Sequence, residues 1–205
     1  MSLPLRTMCR DGPAVFAIGL GFGSIAGFYG PPGALDERVA VLKHAHATGL
    51  RFWDMADIYG DSEYVVREWI KRPGKRNDVF LATKYTFRSD PEYVKAACAR
   101  TLQRLGVDAI DVYYCQRVDG VTPIERTVEA MEELKKEISL SGSIGPLSSH
   151  VTARACRSPI TAVQVEYSLF TLDIESPVSE IREPQPEWIL PGVPARHQVL
   201  QDRLD

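Results

Sequence analysis

The stretch LRFWDMADIYGDSEYVVREWIKR, residues 50–72, contains one full copy of the repeat that decides the fold. Its apolar run 50–56 is typical of a buried strand, and the polar turn DIYGD follows. The apolar residues of 62–72 then recur at helical spacing, and Ser62 can cap the start of that helix. This stretch therefore predicts a strand, a turn and an amphipathic helix.

The same unit recurs on both sides of this stretch. Strands that alternate with helices of this length run parallel and are joined by right-handed crossovers. The predicted class is therefore α/β, a parallel sheet with about six βα units. The further predicted strands are 14–21, 78–84 and 110–116 with two weaker ones at 141–145 and 161–167, and the further helices are 35–49, 91–106 and 123–137.

The composition narrows the classes of function. The 205 residues are 44% hydrophobic and 25% charged, which suits one sizeable core. A net charge of -3 without a basic stripe argues against a nucleic-acid partner. The apolar runs are far shorter than the roughly 18 residues of a membrane span, and the first residues lack the apolar region of a secretory signal. We therefore expect no membrane association and a cytoplasmic location.

The cysteines and histidines suggest neither disulfides nor a metal site. The four cysteines stand far apart and form no CxxC pair, so reduced thiols are expected. The four histidines share no metal-ligand spacing with them, so no zinc site is expected.

The repeat stops near residue 175. The segment 176–205 holds five of the 14 prolines and shows neither helical nor strand spacing. It is predicted to be a poorly ordered tail, as chain ends without a periodic apolar pattern usually are. Residues 1–175 are therefore predicted to form the folded domain.

Polar side chains follow successive predicted strands at the points where those strands end. Asp54 and Tyr59 follow one strand, Lys84 and Gln116 follow the next two, and Ser148 follows the weaker strand after them. Parallel α/β folds carry their sites at the carboxyl ends of the strands. If the strands are neighbours in a barrel, these side chains converge.

Asp54, Tyr59 and Lys84 are suited to protonating a carbonyl group. Tyrosine has an ordinary pKa of about 10, and a nearby lysine cation is expected to lower that pKa, while an aspartate holds the lysine charged and in place. Together they form a proton donor for a carbonyl that receives hydride. Taken singly, each residue also fits a structural role: a turn residue, a packed aromatic side chain and a solvated strand end.

The glycine-rich segment GLGFGS, residues 19–24, is a weak dinucleotide-binding motif. It lacks the third glycine of the Rossmann fingerprint at the required spacing, and more glycine and proline follow it instead of a helix. We expect its glycines to let the exit loop of the first strand pass close to a bound ligand.

Several separated segments resemble the aldo-keto reductases, in the order that this family has them. They are FWDMADIYG, LATK, DAIDVYYCQRVD, PIERTVEAMEELKK and PITAVQVEYSLFTLDIE, and the likeness covers about residues 12–175. The segment IGLGFGSIAGFYGPP is most similar to the microbial and fungal branch. The resemblance implies a (β/α)8 TIM barrel that binds NADPH and reduces a small carbonyl substrate, an aldehyde or a ketone, to an alcohol.

The resemblance also implies roles for individual residues. Tyr59 corresponds to the general acid of the family, and Lys84 and Asp54 correspond to the residues that tune it. On the cofactor side, the resemblance implies contacts from Asp54, from Ser148 and from Gln164, the last two to the nicotinamide. The catalytic set is the one that the strand-end pattern selected independently.

The chain departs from the family pattern in three places. The family's fourth catalytic residue, a histidine that orients the substrate carbonyl, corresponds to Gln116. Around residues 138–157 the chain has SLSGSIGPLSSH where the family's strand and helix are longer, and Pro146 in this segment would disturb a central strand. After Glu175 nothing matches the seventh and eighth βα units, so we expect an incomplete barrel, truncated relative to the family at about residue 175.

Three functions stay open from the sequence. The first is an NADPH-dependent carbonyl reductase. The second is a degenerate or non-catalytic protein similar to an aldo-keto reductase, and the third is a redox-sensing subunit that only binds the cofactor. The sequence indicates neither the identity of the substrate nor the oligomeric state.

Overall fold

The computed structural model describes residues 3–8, 13–72, 74–137, 142–143, 162–166, 169 and 189–192. None of the helices in these ranges is long and apolar enough to span a membrane. The strands are β1 (Leu5–Thr7), β2 (Ala14–Phe16), β3 (Gly19–Gly21), β4 (Phe52–Asp54), β5 (Phe80–Tyr85), β6 (Val112–Cys115), β7 (Gly142–Ser143), β8 (Val163–Glu166) and β9 (Ile189–Gly192). The helices are α1 (Leu35–Ala47), α2 (Ser62–Ile70), α3 (Pro91–Leu105) and α4 (Ile124–Glu137), with a short 3-10 helix at Lys75–Asp78.

Five strands form one parallel sheet in the order β3-β4-β5-β6-β7, with the helices in the crossovers between them. Each strand therefore pairs with the next one along the chain, as in a barrel that is built unit by unit. This confirms the predicted parallel α/β architecture. The other strands form two pairs, β1 with β2 antiparallel and β8 with β9 parallel.

The predicted strand 14–21 is two strands with different partners. In the structure β2 pairs antiparallel with β1, whereas β3 pairs parallel with β4. Between them Ile18 is 54% exposed. The prediction of one continuous strand was wrong because the apolar run contributes to two different core clusters. Val15 packs in one core cluster, and Leu20 packs against the other.

The two faces of the parallel sheet bury different cores, since side chains alternate along each strand. The face toward the helices carries Trp53, Leu81 and Tyr113. The other face is the interior of the barrel, and its cluster draws on several elements: Phe52, Ala82, Val112 and Tyr114, joined by Met8, Val15 and Ala162. Because Phe52 begins β4, Met8 after β1 and Val15 in β2 cover the amino-terminal end of this interior.

Local capping at α2 differs from the prediction. Ser62 is the first residue of the helix itself, and Asp61 occupies the cap position without a side-chain capping bond. The buried Ser62 hydroxyl donates instead to the carbonyl oxygen of Ala56 at 3.5 Å. Ser62 therefore ties the helix to the turn that carries Tyr59, rather than satisfying the first turn of the helix.

The segment 176–205 contains a strand that the sequence did not predict. Ile189–Gly192 pairs parallel with β8, and Pro191 lies opposite Val165. The described strands place β9 at an edge, where proline is tolerated because its missing N–H need not bind a second neighbour. Proline in this short run is also why spacing alone gave no strand. The rest of the predicted tail lies outside the described residues.

Asp119 joins the loop after β5 to the loop after β6. Its carboxylate accepts backbone N–H groups from Ser89 at 2.9 Å, Val121 at 2.9 Å and Thr122 at 2.7 Å, and the Thr122 hydroxyl at 2.8 Å. Burial alone would raise the pKa of Asp119, but these donors together hold that pKa far below its usual range. The two loops therefore depend on an ionised carboxylate.

We expect Asp119→Asn to lower the free energy of unfolding at pH 7 by about 1–2 kcal/mol, because an amide oxygen replaces an ionised acceptor of four donors. The folded-state pKa lies below the unfolded one, so this stabilisation is present above about pH 4 and is lost as the pH falls. Urea unfolding at pH 7 and pH 3 measures both values. The exposed Asp108→Asn serves as the control, and an equal loss at the two pH values would contradict the assignment.

Candidate active site

The side chain of Lys84 is the buried charge around which the site is built. It is 1% exposed, and its Nζ donates to Asp54 Oδ1 and Oδ2, each at 2.8 Å, and to the carbonyl oxygen of Met55 at 2.9 Å. An ammonium group has three N–H donors, so all of them are used. The ion pair is therefore saturated on the lysine side.

The register of two strands brings Lys84 and Asp54 together. Asp54 pairs with Ala82, and Lys84 lies two residues further along β5, on the same face of the sheet. Both side chains therefore point into the barrel interior at its carboxyl end. Met55 adds its carbonyl oxygen because β4 ends at Asp54 and the chain turns there.

Tyr59 lies in the turn after β4 and contacts the ammonium through its ring. Lys84 Nζ is 5.4 Å from the centre of the Tyr59 ring and 5.8 Å from that of Tyr114. The Tyr59 ring also packs against Phe28, with centroids 5.5 Å apart. Gly60 follows with a φ of 46°, and a side chain there would press on the carbonyl oxygen of Ala26. The turn is therefore in close contact with Phe28 on one side and with Ala26 on the other.

The pKa of Tyr59 moves in the direction opposite to the prediction. Burial, followed by the negative charge of Asp54 and by the nearby Tyr29, raises it to about 12. The expectation of a lowered pKa was wrong, because burial is the largest effect on the phenol and the charge of Asp54 adds to it. At neutral pH Tyr59 is therefore a protonated, neutral phenol.

Gln164 reaches the same carboxylate from another strand. Its Nε2 donates to Asp54 Oδ2 at 2.9 Å, and so β8 is connected to β4 across the barrel interior. The structure thus brings Gln164 to Asp54, Tyr59 and Lys84. Ser148, the other residue expected near a nicotinamide, lies outside the described residues.

Gln116 lies on the rim one residue after β6, and two residues that the sequence analysis did not select surround it. Its Oε1 is 2.7 Å from Thr86 Oγ1, and the same hydroxyl lies 2.9 Å from Asp57 Oδ1. Burial raises the pKa of Asp57, although the hydrogen bonds from Thr86 act to lower it. Thr86 follows β5 as Gln116 follows β6, so the strand-end pattern could have found it.

No group of three or more histidine, cysteine, aspartate or glutamate side chains in the described part of the chain could hold a metal ion. Four side chains at the carboxyl edge of the sheet carry groups suited to proton transfer or hydrogen bonding. They supply a neutral phenol, a paired ammonium and two amides: Tyr59, Lys84, Gln116 and Gln164.

The parallel βα units place the protein among the α/β barrels, which carry their sites at the carboxyl ends of the strands. The buried lysine–aspartate pair and the tyrosine lie at that end. Within that class, the chain belongs to the aldo/keto reductase family, whose family model matches residues 17–184. The resemblance predicted from the sequence is confirmed, and the match runs past residue 175, where the likeness was expected to end.

Two curated relatives show the same relationship. The chain is 49% identical over 193 residues to the aldo-keto reductase str7 of Strobilurus tenacellus, and 37% identical over 192 residues to the aldo-keto reductase yakc [NADP(+)] of Schizosaccharomyces pombe. Each match covers 86% of this chain and 56% of the relative. The chain therefore spans little more than half the length of these relatives.

Solved structures agree on the fold. A thermostable aldo-keto reductase in complex with the inhibitor epalrestat is similar with a TM-score of 0.73 at 27% identity, over 84% of this chain and 66% of that one. The holo form of an aldo-keto reductase from Bacillus halodurans is similar with a TM-score of 0.71 at 26% identity, over 81% and 58%. The chain therefore has the TIM-barrel fold of the family in an incomplete form.

We expect Asp54→Asn to lower the free energy of unfolding by about 2–4 kcal/mol, because it leaves the Lys84 ammonium buried without its anion. Removing the charge as well, in Asp54→Asn/Lys84→Met, should recover about 1 kcal/mol or more of that loss. Urea unfolding at pH 7 measures each variant.

The exposed pair Lys71–Glu68 provides the matched control, since Lys71 is 55% exposed. Glu68→Gln and its double variant with Lys71→Met should each leave the urea midpoint close to that of the parent, because exposed ion pairs contribute little. A double variant at Asp54 and Lys84 that is no more stable than Asp54→Asn would contradict the buried ion pair.

Proposed function

We propose that this site reduces an aldehyde or ketone to an alcohol with NADPH, with Tyr59 as the general acid and with Lys84 and Asp54 tuning it. The observation that carries the proposal is the buried ammonium of Lys84, held by Asp54 with its charge 5.4 Å from the centre of the Tyr59 ring. A neutral phenol beside a fixed cation is suited to giving a proton and then bearing the negative charge. Membership of the aldo/keto reductase family supports this chemistry.

The donors and the space at the site are compatible with a nicotinamide. Gln164 carries a primary amide, which can both donate to and accept from a carboxamide, and it lies beside Asp54. Gly21 is opposite Asp54 in register, and a side chain there would meet no atom within 4 Å, so there is room next to the carboxylate. The relative yakc is named for NADP(+). We assign Gln164, Asp54 and Ser148 to this cofactor.

The protein's own part in the reaction is to place and protonate the carbonyl. NADPH, when bound, supplies the hydride to the carbonyl carbon. As that C–H bond forms, the electrons of the C=O double bond move to oxygen, the O–H bond of Tyr59 breaks, and its proton joins the oxygen to give the alcohol. Water then returns a proton to the phenolate. Burial and the negative charge of Asp54 make this phenolate unfavourable, so the proton leaves Tyr59 only as negative charge develops on the carbonyl oxygen.

Gln116 contributes a weaker interaction than a histidine would. Its amide can donate a hydrogen bond to the carbonyl oxygen, but it remains neutral at every pH, whereas histidine can become a cation. Charged donors stabilise developing negative charge more strongly than neutral ones. We therefore propose reduction with limited electrostatic help at this position.

The second candidate, binding of the cofactor without turnover, is favoured by the same observation at Gln116. It predicts that NADPH fluorescence is quenched by the protein while no aldehyde is consumed. The proposed reduction predicts both quenching and loss of NADPH absorbance with an aromatic aldehyde. If the protein neither quenches NADPH fluorescence nor consumes NADPH, the result would support a degenerate protein.

We expect Tyr59→Phe to reduce kcat by a factor of at least about 100, because it removes the proton donor and keeps the ring. NADPH affinity should change by less than about twofold, since Phe retains the contact of the ring with Phe28. Absorbance assays and fluorescence titration measure the two effects. Tyr64→Phe, at an exposed position on α2, is the control. Full activity in Tyr59→Phe would contradict the role of Tyr59 as the general acid.

We expect Gln116→His to raise kcat about tenfold below pH 6.5, where an imidazolium can stabilise the developing alkoxide. The gain should shrink as the pH rises and the imidazole loses its charge. Rates measured between pH 5.5 and 8.5 test this. An unchanged or lower rate at every pH would remove Gln116 from the carbonyl site.

A further inference from the structure

Thr86, one residue beyond β5, joins two side chains through one hydroxyl group. Its Oγ1 lies 2.9 Å from Asp57 Oδ1 and 2.7 Å from Gln116 Oε1. Backbone hydrogen bonds fix the neighbours, since Asp57 N donates to Lys84 O at 2.9 Å and Gln116 N donates to Tyr85 O at 3.1 Å. The contact therefore spans the carboxyl ends of β4, β5 and β6, on the rim that carries Lys84.

The hydroxyl has one proton, so it cannot donate to both oxygens. Asp57 is the stronger acceptor, because an ionised carboxylate binds a donor more tightly than a neutral amide, and it also accepts the Thr86 N–H at 3.3 Å. With its proton on that side, Thr86 Oγ1 can only accept from Gln116. The amide must then present Nε2 to Thr86, which exchanges the amide oxygen and nitrogen and leaves the side chain in the same place.

We propose that Thr86 is a positioning residue for Gln116: held by Asp57, it takes one N–H of the amide and leaves the second N–H as the donor for the substrate carbonyl. The proposal rests on the proposed reduction for the identity of that carbonyl. A glutamine that is already fixed loses less conformational freedom when it binds, and its donor direction is set before the substrate arrives. Thr86 thus acts on the reaction through Gln116.

The first test removes the hydroxyl at nearly constant shape. Thr86→Val should lower kcat/KM for an aromatic aldehyde by about three- to tenfold, which is the effect of one neutral hydrogen bond. The loss should lie mainly in kcat, because the donor matters most as negative charge develops on oxygen. Thr86→Ser keeps the hydroxyl and should restore kcat to within about twofold of the parent.

The second test reads the amide itself and needs no turnover. In nitrogen-15 NMR spectra of the full chain, the two side-chain N–H signals of Gln116 should be well separated, with one shifted downfield by Thr86. Thr86→Val should bring the two signals together, and Thr86→Ser should keep them apart. Asp57→Asn can donate to Thr86 and so reverse the direction of the hydroxyl, which should remove the downfield shift while the hydroxyl is still present.

The outcomes separate the two proposals. If the parent reduces the aldehyde and Thr86→Val changes neither kcat nor the amide signals, the positioning role is overturned and the reduction stands. If no protein reduces the aldehyde but the amide signals behave as expected across the three variants, Thr86 still fixes Gln116 and the reduction is wrong. If Thr86→Val is less stable in urea, the amide signals of Thr86→Ser and Asp57→Asn test the positioning role instead. Separate signals in Thr86→Ser and no downfield shift in Asp57→Asn would support that role, and any other pattern would overturn it.

Discussion

The burial of one ammonium group constrains the rest of the site. Removing a charge from water is unfavourable by several kcal/mol unless an anion and further acceptors replace the solvent. Lys84 satisfies this requirement with both oxygens of Asp54 and the carbonyl oxygen of Met55. These partners exist only if β4 and β5 pair in the observed register and the chain turns at Asp54, so the charge and the strand pairing depend on each other.

The saturated ammonium explains the state of the phenol beside it. With every N–H directed to Asp54 and Met55, Lys84 acts on Tyr59 across the ring and makes no hydrogen bond to it in the described structure. Burial therefore dominates and keeps the phenol protonated. A proton that is held tightly in the resting site, next to a cation that can offset the phenolate, suits a donor that acts only when a carbonyl oxygen gains charge.

Much of this site could be predicted from the chain, because strand ends in parallel α/β folds follow from periodicity alone. Asp54, Lys84 and Gln116 were selected in that way, and the structure places them on one rim. The direction in which the pKa of Tyr59 shifts could not be predicted, because it depends on how deeply the phenol is buried and on how close it lies to Asp54. Both follow from the three-dimensional structure. The strand-end pattern could have found Thr86, but not its contacts with Asp57 and Gln116, because these depend on how the ends of three strands lie relative to one another.

The fold shows the same limit. Periodicity predicted the parallel βα units, but it merged β2 and β3, since both are short and apolar and only pairing partners distinguish them. It also gave no strand at Ile189–Gly192, where a proline conceals an edge strand. Local spacing therefore identifies the repeated units, whereas pairing across the molecule decides where short strands belong.

The most direct test of the account is the ionisation of Tyr59 itself, followed by NMR of a carbon-13 label on its ring carbon that bears the hydroxyl. We expect this carbon to keep the phenol shift up to about pH 10.5, since burial and the charge of Asp54 raise the pKa of Tyr59 to about 12. In Asp54→Asn the midpoint should fall. A midpoint below 10 in the parent protein would mean that Lys84 pairs with the phenolate directly, and would contradict the saturated ammonium on which the site depends.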